Sequence, residues 1–149
     1  MIRVQAEDFD VGAELASLSE GNHGIGGIGV FVGLVRDMAG DDKIGALTLE
    51  HYPGMTERKL EEIEAEARRR WPLEACLIVH RYGRLEPGDR IVFVATASAH
   101  RDAALESCRF LIDWLKTEAP FWKLEETPDG GKWVDARDSD NKAKERWVK

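Results

Sequence analysis

The feature that most constrains the fold is a pair of long helical segments, each ended by a proline, set among short β-rich runs. In the first segment, from Thr56 to Arg70, charged side chains surround a sparse apolar stripe, and Pro72 follows. In the second, from Asp102 to Ala119, apolar residues recur at helical spacing up to Pro120. Proline lacks an amide hydrogen and clashes with the preceding turn, so each helix should end there. The pattern predicts one surface helix and one core helix.

Short β-rich runs lie beside these helices. They are predicted at residues 2–5, 30–35, 46–52, 75–80, 90–97 and 121–126, with a further short helix near 11–18. We expect runs 30–35 and 46–52 to pair, and runs 75–80 and 90–97 to form a hairpin through the turn region at 83–88. Because strands and helices do not alternate strictly, the predicted class is α+β with a mixed or antiparallel sheet.

The length of 149 residues fits a single domain plus a small sub-domain. Residues 136–149 form a polar tail without a clear period, which is either mobile or docked through Trp147. We expect removal of the residues after Asp135 to leave folding intact and to weaken partner or substrate binding. The predicted domain therefore spans residues 1–149, with 136–149 as a possible mobile tail.

The charge balance argues against a nucleic-acid partner. Asp and Glu total 28 against 21 for Lys and Arg, which gives a net charge of −7 that repels a polyanion. No run reaches the ~18 apolar residues of a membrane span, and the acidic start does not resemble a signal peptide, so a cytoplasmic location is expected. Cys76 and Cys108 lie in apolar stretches, and neither they nor the histidines show metal-ligand spacing. No metal and no cofactor are expected.

The segment from Ser98 to Lys123 contains the residues best suited to chemistry. His100 and Arg101 lie where a strand gives way to a helix, and the free amides of a helix start can hold an anion such as phosphate. Lys116 follows the buried stripe of that helix, and Lys123 lies between large apolar residues. Neighbouring lysines disfavour each other's charged form, which favours an amine that acts as base or nucleophile. The alternative is that all four are solvated surface residues, and spacing alone does not decide between the two.

The glycine-rich segment from Gly24 to Gly33 does not form a nucleotide-binding loop. It lacks the Lys-Ser/Thr ending of a P-loop, and it leads into a strand, not a helix. We expect it instead to let the backbone approach another surface closely, with Phe31 and Arg36 fixed by the strand.

Ordered blocks between Gly26 and about Trp147 resemble the large, catalytic subunit of molybdopterin synthase. The blocks are 33–36, 49–55, 80–88, 98–125 and 131–134. This resemblance implies an α/β hammerhead fold and a homodimer that binds one small ubiquitin-like subunit at each end, giving a heterotetramer. It also implies a sulfurtransferase of molybdenum cofactor biosynthesis. A thiocarboxylate on the small subunit's C-terminal Gly-Gly tail would deliver sulfur twice to cyclic pyranopterin monophosphate, also called precursor Z, forming the molybdopterin dithiolene.

The resemblance also assigns site residues. Lys116 and Lys123 would be catalytic, and both would also contact substrate. The further substrate-binding positions are Leu34, Val35, Arg36, His100, Arg101, Leu124 and Glu125. Phe31 and Arg137 are weaker candidates for lining the pocket or contacting a partner. A basic cluster in an acidic chain independently favours an anion site.

Two rival functions remain at this point. One is a non-catalytic subunit that binds a phosphorylated small molecule or a ubiquitin-like carrier. The other is an unrelated nucleotide-binding enzyme on the same scaffold, against which the missing nucleotide fingerprints count. Retention of both Lys116 and Lys123 argues against simple binding, which would tolerate other cations.

Overall fold

The computed structural model describes residues 1–39, 42–43, 45–127, 130–134, 142 and 144–147. Within this range the named helices are α1 (Val11–Ser19), α2 (Met55–Arg70) and α3 (Arg101–Glu118). The strands are β1 (Ile2–Gln5), β2 (Gly27–Leu34), β3 (Met38–Ala39), β4 (Asp42–Lys43), β5 (Ala46–His51), β6 (Leu73–Arg81), β7 (Gly83–Leu85), β8 (Arg90–Ser98), β9 (Phe121–Thr127) and β10 (Gly130–Val134). In this part of the chain no helix is long and apolar enough to cross a membrane.

Two four-stranded sheets form the framework. The first has the order β1-β6-β8-β2, with β1 parallel to β6 and the other pairs antiparallel. The second has the order β10-β9-β5-β7 and is antiparallel throughout, while β3 and β4 form a separate pair. The predicted α+β class with a mixed sheet is confirmed.

One predicted strand pairing is wrong. The runs containing β2 and β5 do not pair, because β2 pairs with β8 and β5 lies between β9 and β7. Alternating apolar residues identify the buried face of a strand but not its neighbour. Leu47 and Leu49 of β5 face a separate small core with Val35 and Leu85. The predicted β6–β8 hairpin is confirmed, although β7 leaves it to join the second sheet.

The core helix α3 packs on the first sheet and runs antiparallel to β8. Thr96 donates a hydrogen bond to the Ala104 carbonyl at 2.6 Å, and Cys108, one turn later, lies 3.8 Å from the Val94 carbonyl. The contacts thus move back along β8 as the helix advances. A Cβ at Gly29 would lie 2.4 Å from the Ala104 carbonyl oxygen. The glycine-rich segment therefore permits a close backbone approach, as expected, and the surface it approaches is α3.

The C-terminal segment 144–147 docks on the helices. The Trp147 ring lies 5.7 Å from Trp71 and 5.6 Å from Phe110, and its indole nitrogen donates to the buried Asp113 carboxylate at 2.6 Å. Arg70 donates to the Trp147 carbonyl at 2.8 Å. Trp147 thus connects the end of the chain to α2 and α3. Arg137 and most of the predicted tail lie outside the described residues.

Candidate active site

Both candidate catalytic lysines lie at the end of the first sheet where α3 finishes. Lys116 is in the last turn of α3 and is exposed, whereas Lys123 lies in β9 and is half-buried. β2 also finishes at this end, because Leu34 is paired with Arg90 at the start of β8. Arg36 follows two residues later and is exposed. We call this region, defined by Arg36, Lys116 and Lys123, the lysine end.

The charges of both lysines act on a buried histidine, His80. His80 is 5% exposed, and its Nδ1 lies 2.8 Å from the Arg81 carbonyl oxygen. The pKa of His80 is lowered to about 3, mainly because the ring is buried, and the positive charges of Lys116 and Lys123 contribute to the lowering. The imidazole is therefore neutral at physiological pH. Because both lysine charges act on this one ring, the structure brings Lys116 and Lys123 into one neighbourhood.

Leu34 and Val35 differ in what they can offer a ligand. Leu34 is 52% exposed, but Val35 is buried. The Val35 amide donates to the Asp89 carbonyl at 2.9 Å, and its carbonyl accepts from the Gly88 amide at 2.8 Å. Val35 therefore anchors the segment before Arg36 to the turn at 88–89, and its amide is already engaged.

Leu124 and Glu125 follow Lys123 in a strand that is paired on both sides. Leu124 is opposite Thr48 of β5 and Trp133 of β10, and Glu125 occupies the next register position. Both side chains are half-buried. The pairing on both sides holds this stretch of β9, and with it Lys123, in a defined place.

His100 and Arg101 lie at the opposite end of α3. His100 is the N-cap residue and makes no capping hydrogen bond through its side chain, and both side chains are exposed. Fifteen residues separate Arg101 from Lys116 on one straight element, which places them about 22 Å apart along the helix axis. A single chain therefore does not bring the predicted phosphate-binding pair together with the lysines, although one sequence block contains both.

The exposed strand β2 separates these two ends. Within the described residues it pairs only with β8, so its outer edge is unpaired. Val30 and Phe31 on this strand are 41% and 37% exposed. An apolar edge without charged residues is a ready surface for pairing with another strand.

Neither cysteine has the properties of a sulfur carrier. Cys76 and Cys108 are both buried free thiols. Burial raises the pKa of Cys76 to about 12 and that of Cys108 to about 11. Because the thiolate is the reactive form, both thiols should be chemically inert at neutral pH.

Sequence patterns assign no functional role to His80. A lone histidine in an apolar strand is most often a satisfied core residue, and His80 belongs to the family resemblance only as part of the block 80–88. The neighbours that make it informative, Lys116 and Lys123, are more than 35 positions away in the chain. Spacing alone contained no signal that connects them.

Comparison with known proteins identifies consistent relatives. The family model described as MoaE protein matches residues 4–118. A protein of Pseudomonas aeruginosa named molybdopterin synthase catalytic subunit is 56% identical over 146 residues, covering 98% of this chain and 97% of the relative. The Escherichia coli K12 protein of the same name is 52% identical over the same shares of the two chains.

Solved structures agree in fold. The molybdopterin biosynthesis MoaE protein of Burkholderia ambifaria is 56% identical, with a TM-score of 0.85 over 99% of this chain and 97% of that one. A complex of subunits 1 and 2 of molybdopterin-converting factor from Helicobacter pylori contains a chain with a TM-score of 0.74 over 91% of each chain. At 22% identity that likeness concerns the fold alone.

Proposed function

Because the chain belongs to the MoaE protein family, we propose that it catalyses the sulfur transfer of molybdopterin synthase in molybdenum cofactor biosynthesis. The sulfur donor is a small ubiquitin-like subunit with a thiocarboxylate at its C-terminal Gly-Gly tail. The acceptor is cyclic pyranopterin monophosphate, which receives two sulfurs and becomes the molybdopterin dithiolene. A partner that supplies the sulfur fits a chain whose own two thiols are buried.

The observation that carries this proposal is that Lys116, in the last turn of α3, and Lys123, two positions after the Phe121 ring that stacks on His80, both act electrostatically on that buried, neutral histidine. Two ammonium groups, one on the exposed Lys116 and one on the half-buried Lys123, stabilise the negative charge that develops when a sulfur nucleophile adds to the pterin precursor. One of the lysines also transfers a proton as the adduct collapses. Arg36, at the same end and exposed, is available to bind the substrate phosphate.

The distance between the lysine end and His100 with Arg101 leads us to include a second copy of the chain in the site. If two β2 edges pair antiparallel about a two-fold axis, the strand direction reverses between the copies. The Leu34 end of one copy then lies beside the Gly27 end of the other, where Ser98 and the start of α3 are also found. His100 and Arg101 of one copy thus approach Arg36 and the lysines of the other, and Phe31 becomes a contact between copies.

Residues 1–149 act as one domain, and the exposed side chain of Leu34 and the half-buried Leu124 and Glu125 border the substrate. Arg137 remains a candidate for pocket or partner contact. The reaction takes place in the cytoplasm, and free buried thiols are compatible with such a reducing compartment.

The direct test is reconstitution. The purified chain is mixed with the thiocarboxylated small subunit and cyclic pyranopterin monophosphate, and dithiolene product is followed for the native protein, Lys116→Ala and Lys59→Ala. Lys59 is a matched control because it lies on α2 and pairs with Glu62 and Glu118. We expect product with the native chain and Lys59→Ala, and near-loss with folded Lys116→Ala. Binding of the small subunit without any product from the native chain would support the non-catalytic binding function instead.

A further inference from the structure

Four aromatic rings form a continuous column beside the lysines. The Tyr82 and His51 ring centroids are 4.3 Å apart, those of His51 and Phe121 are 6.3 Å apart, and those of Phe121 and His80 are 3.7 Å apart. The last pair is stacked, with an angle of 17° between the planes. This ring column connects β5 and β6 to the first residue of β9.

His80 is the most firmly held member of the column. Its strand lies in the interior of the first sheet, with Val4 of β1 on one side and Val92 of β8 on the other. The contact between its Nδ1 and the Arg81 carbonyl fixes the ring orientation. Because the ring is buried and neutral, it is unsuited to act as a general acid near pH 7. Any contribution of His80 to the reaction must therefore come from its packing on neighbouring residues.

Phe121 transmits that fixed position to Lys123. The two residues are two positions apart in β9, so their side chains lie on the same face of the strand. The Phe121 amide also donates to the Ala119 carbonyl at 2.9 Å, which ties the start of β9 to the end of α3. Lys116 lies in that last turn of α3. The stack of Phe121 on His80 therefore lies where the end of α3, which contains Lys116, meets the start of β9, which contains Lys123.

We propose that His80 is a positioning residue for the sulfur transfer: its stack on Phe121 fixes the start of β9 against the end of α3 and so sets the position of Lys123 relative to Lys116. The inference rests on the proposed function, which makes these lysines catalytic. His80 itself does not touch the reacting atoms in this account. It acts through Phe121.

The kinetic test uses three variants. His80→Leu fills the buried position with an apolar side chain but loses the stack, and His80→Phe keeps an aromatic ring. Val79→Ala weakens the same strand on its other face, where Val79 packs with Phe9 and Phe93. With saturating small subunit, His80→Leu should lower kcat about tenfold or more with little change in KM for the pterin substrate. His80→Phe should restore kcat to near the native value, and Val79→Ala should leave kcat unchanged while lowering the melting temperature.

A second measurement does not depend on turnover. Limiting acetic anhydride followed by peptide mass spectrometry gives the acetylation rate of Lys123 relative to Lys59 within the same molecule. In His80→Leu the half-buried Lys123 should react several-fold faster, because the start of β9 is no longer fixed against the end of α3, and in Val79→Ala it should react at the native rate. If His80→Leu does not fold, Phe121→Leu removes the same stack from the other side.

The outcomes separate cleanly. Native kcat and native Lys123 acetylation in the stack-deficient variant would overturn the inference, and so would equal losses of kcat in His80→Leu and Val79→Ala. Absence of product from the native protein would overturn the proposed function, while the acetylation ratio would still decide whether His80 positions Lys123.

Discussion

The two ends of α3 have the same kind of side chains but very different surroundings. At the lysine end, Lys123 lies in a strand paired on both sides, and the buried His80 is close enough for both lysines to lower its pKa. At the helix start, His100 and Arg101 are exposed, and no hydrogen bond or ion pair of their side chains is seen with the described part of the chain.

A single chain therefore fixes its candidate catalytic groups only at the lysine end of α3. Catalytic groups need fixed positions, which packing supplies at the lysine end. An exposed cationic pair at a helix start is suited to bind an anion brought to it, in our proposal at the interface with a second copy. One copy would then supply the lysines and Arg36, and the other copy would supply His100 and Arg101 for the same phosphate.

The largest expected effect is a loss of kcat at the lysine end, in contrast to a rise in KM at the helix start. Lys123→Ala should lower kcat by about 100-fold or more, because it removes a group that acts in the transition state. Arg101→Ala should instead raise KM for the pterin substrate by about tenfold, the value of a lost charge-assisted hydrogen bond, with kcat near native. Steady-state kinetics at saturating small subunit distinguish the two. An unchanged KM in Arg101→Ala would remove this residue from the phosphate site.

Mixing two impaired variants tests whether the ends come from different copies. Lys116→Ala and Arg101→Ala are unfolded together, refolded and assayed at low substrate concentration, where both losses are visible. If the site is shared, each mixed dimer contains one native site, and random pairing gives about a quarter of native activity. If each chain supplies its own complete site, the mixture should show no more activity than the average of the two separate variants.

The third expected effect concerns the stability of the second half of α3, which leads to the lysine end. Trp147→Ala removes ring packing on Trp71 and Phe110 and leaves the buried Asp113 carboxylate without its indole donor, so unfolding should become about 2 kcal/mol easier. Urea denaturation measures this, with Arg101→Ala as a surface control expected within about 0.5 kcal/mol of native. The same contacts predict that truncation after Asp135 destabilises the fold, in contrast to the expectation from sequence. Native stability of the truncated chain would contradict this.

The smallest effect concerns the buried histidine at the lysine end. The pKa of His80 is lowered from 6.5 to about 3 in the folded protein, so its contribution to stability is complete above pH 6.5 and is lost as the pH falls toward 3. Between pH 7.5 and 5.5 the loss is about 1 kcal/mol. His80→Phe should flatten the pH dependence by this amount. Denaturation at the two pH values gives the comparison, and equal slopes for native and His80→Phe would refute it.

Local patterns in the sequence were sufficient for much of the fold. Both long helices end next to the prolines that predicted their ends, and the β6–β8 hairpin was recognised from its two β-rich runs and turn residues. These features depend on neighbours within a few residues, which a sequence displays directly. The pairing of β2 was missed, because alternation specifies the face of a strand and leaves the partner to be chosen by packing.

The candidate site also has one part that local sequence patterns indicate and one part that they do not. The sequence by itself identified the cationic residues, because basic groups beside a helix start and around Pro120 stand out in an acidic chain, and the resemblance of ordered blocks assigned them roles. Only the tertiary structure decided which of them meet. A helix of this length separates Arg101 from Lys116 by about 22 Å, whereas folding brings His80 to Phe121 and to both lysines across more than 35 positions of sequence. Within one helix, the number of residues between two side chains determines the distance between them. Between two elements, that distance depends on how the elements pack, which the sequence does not display.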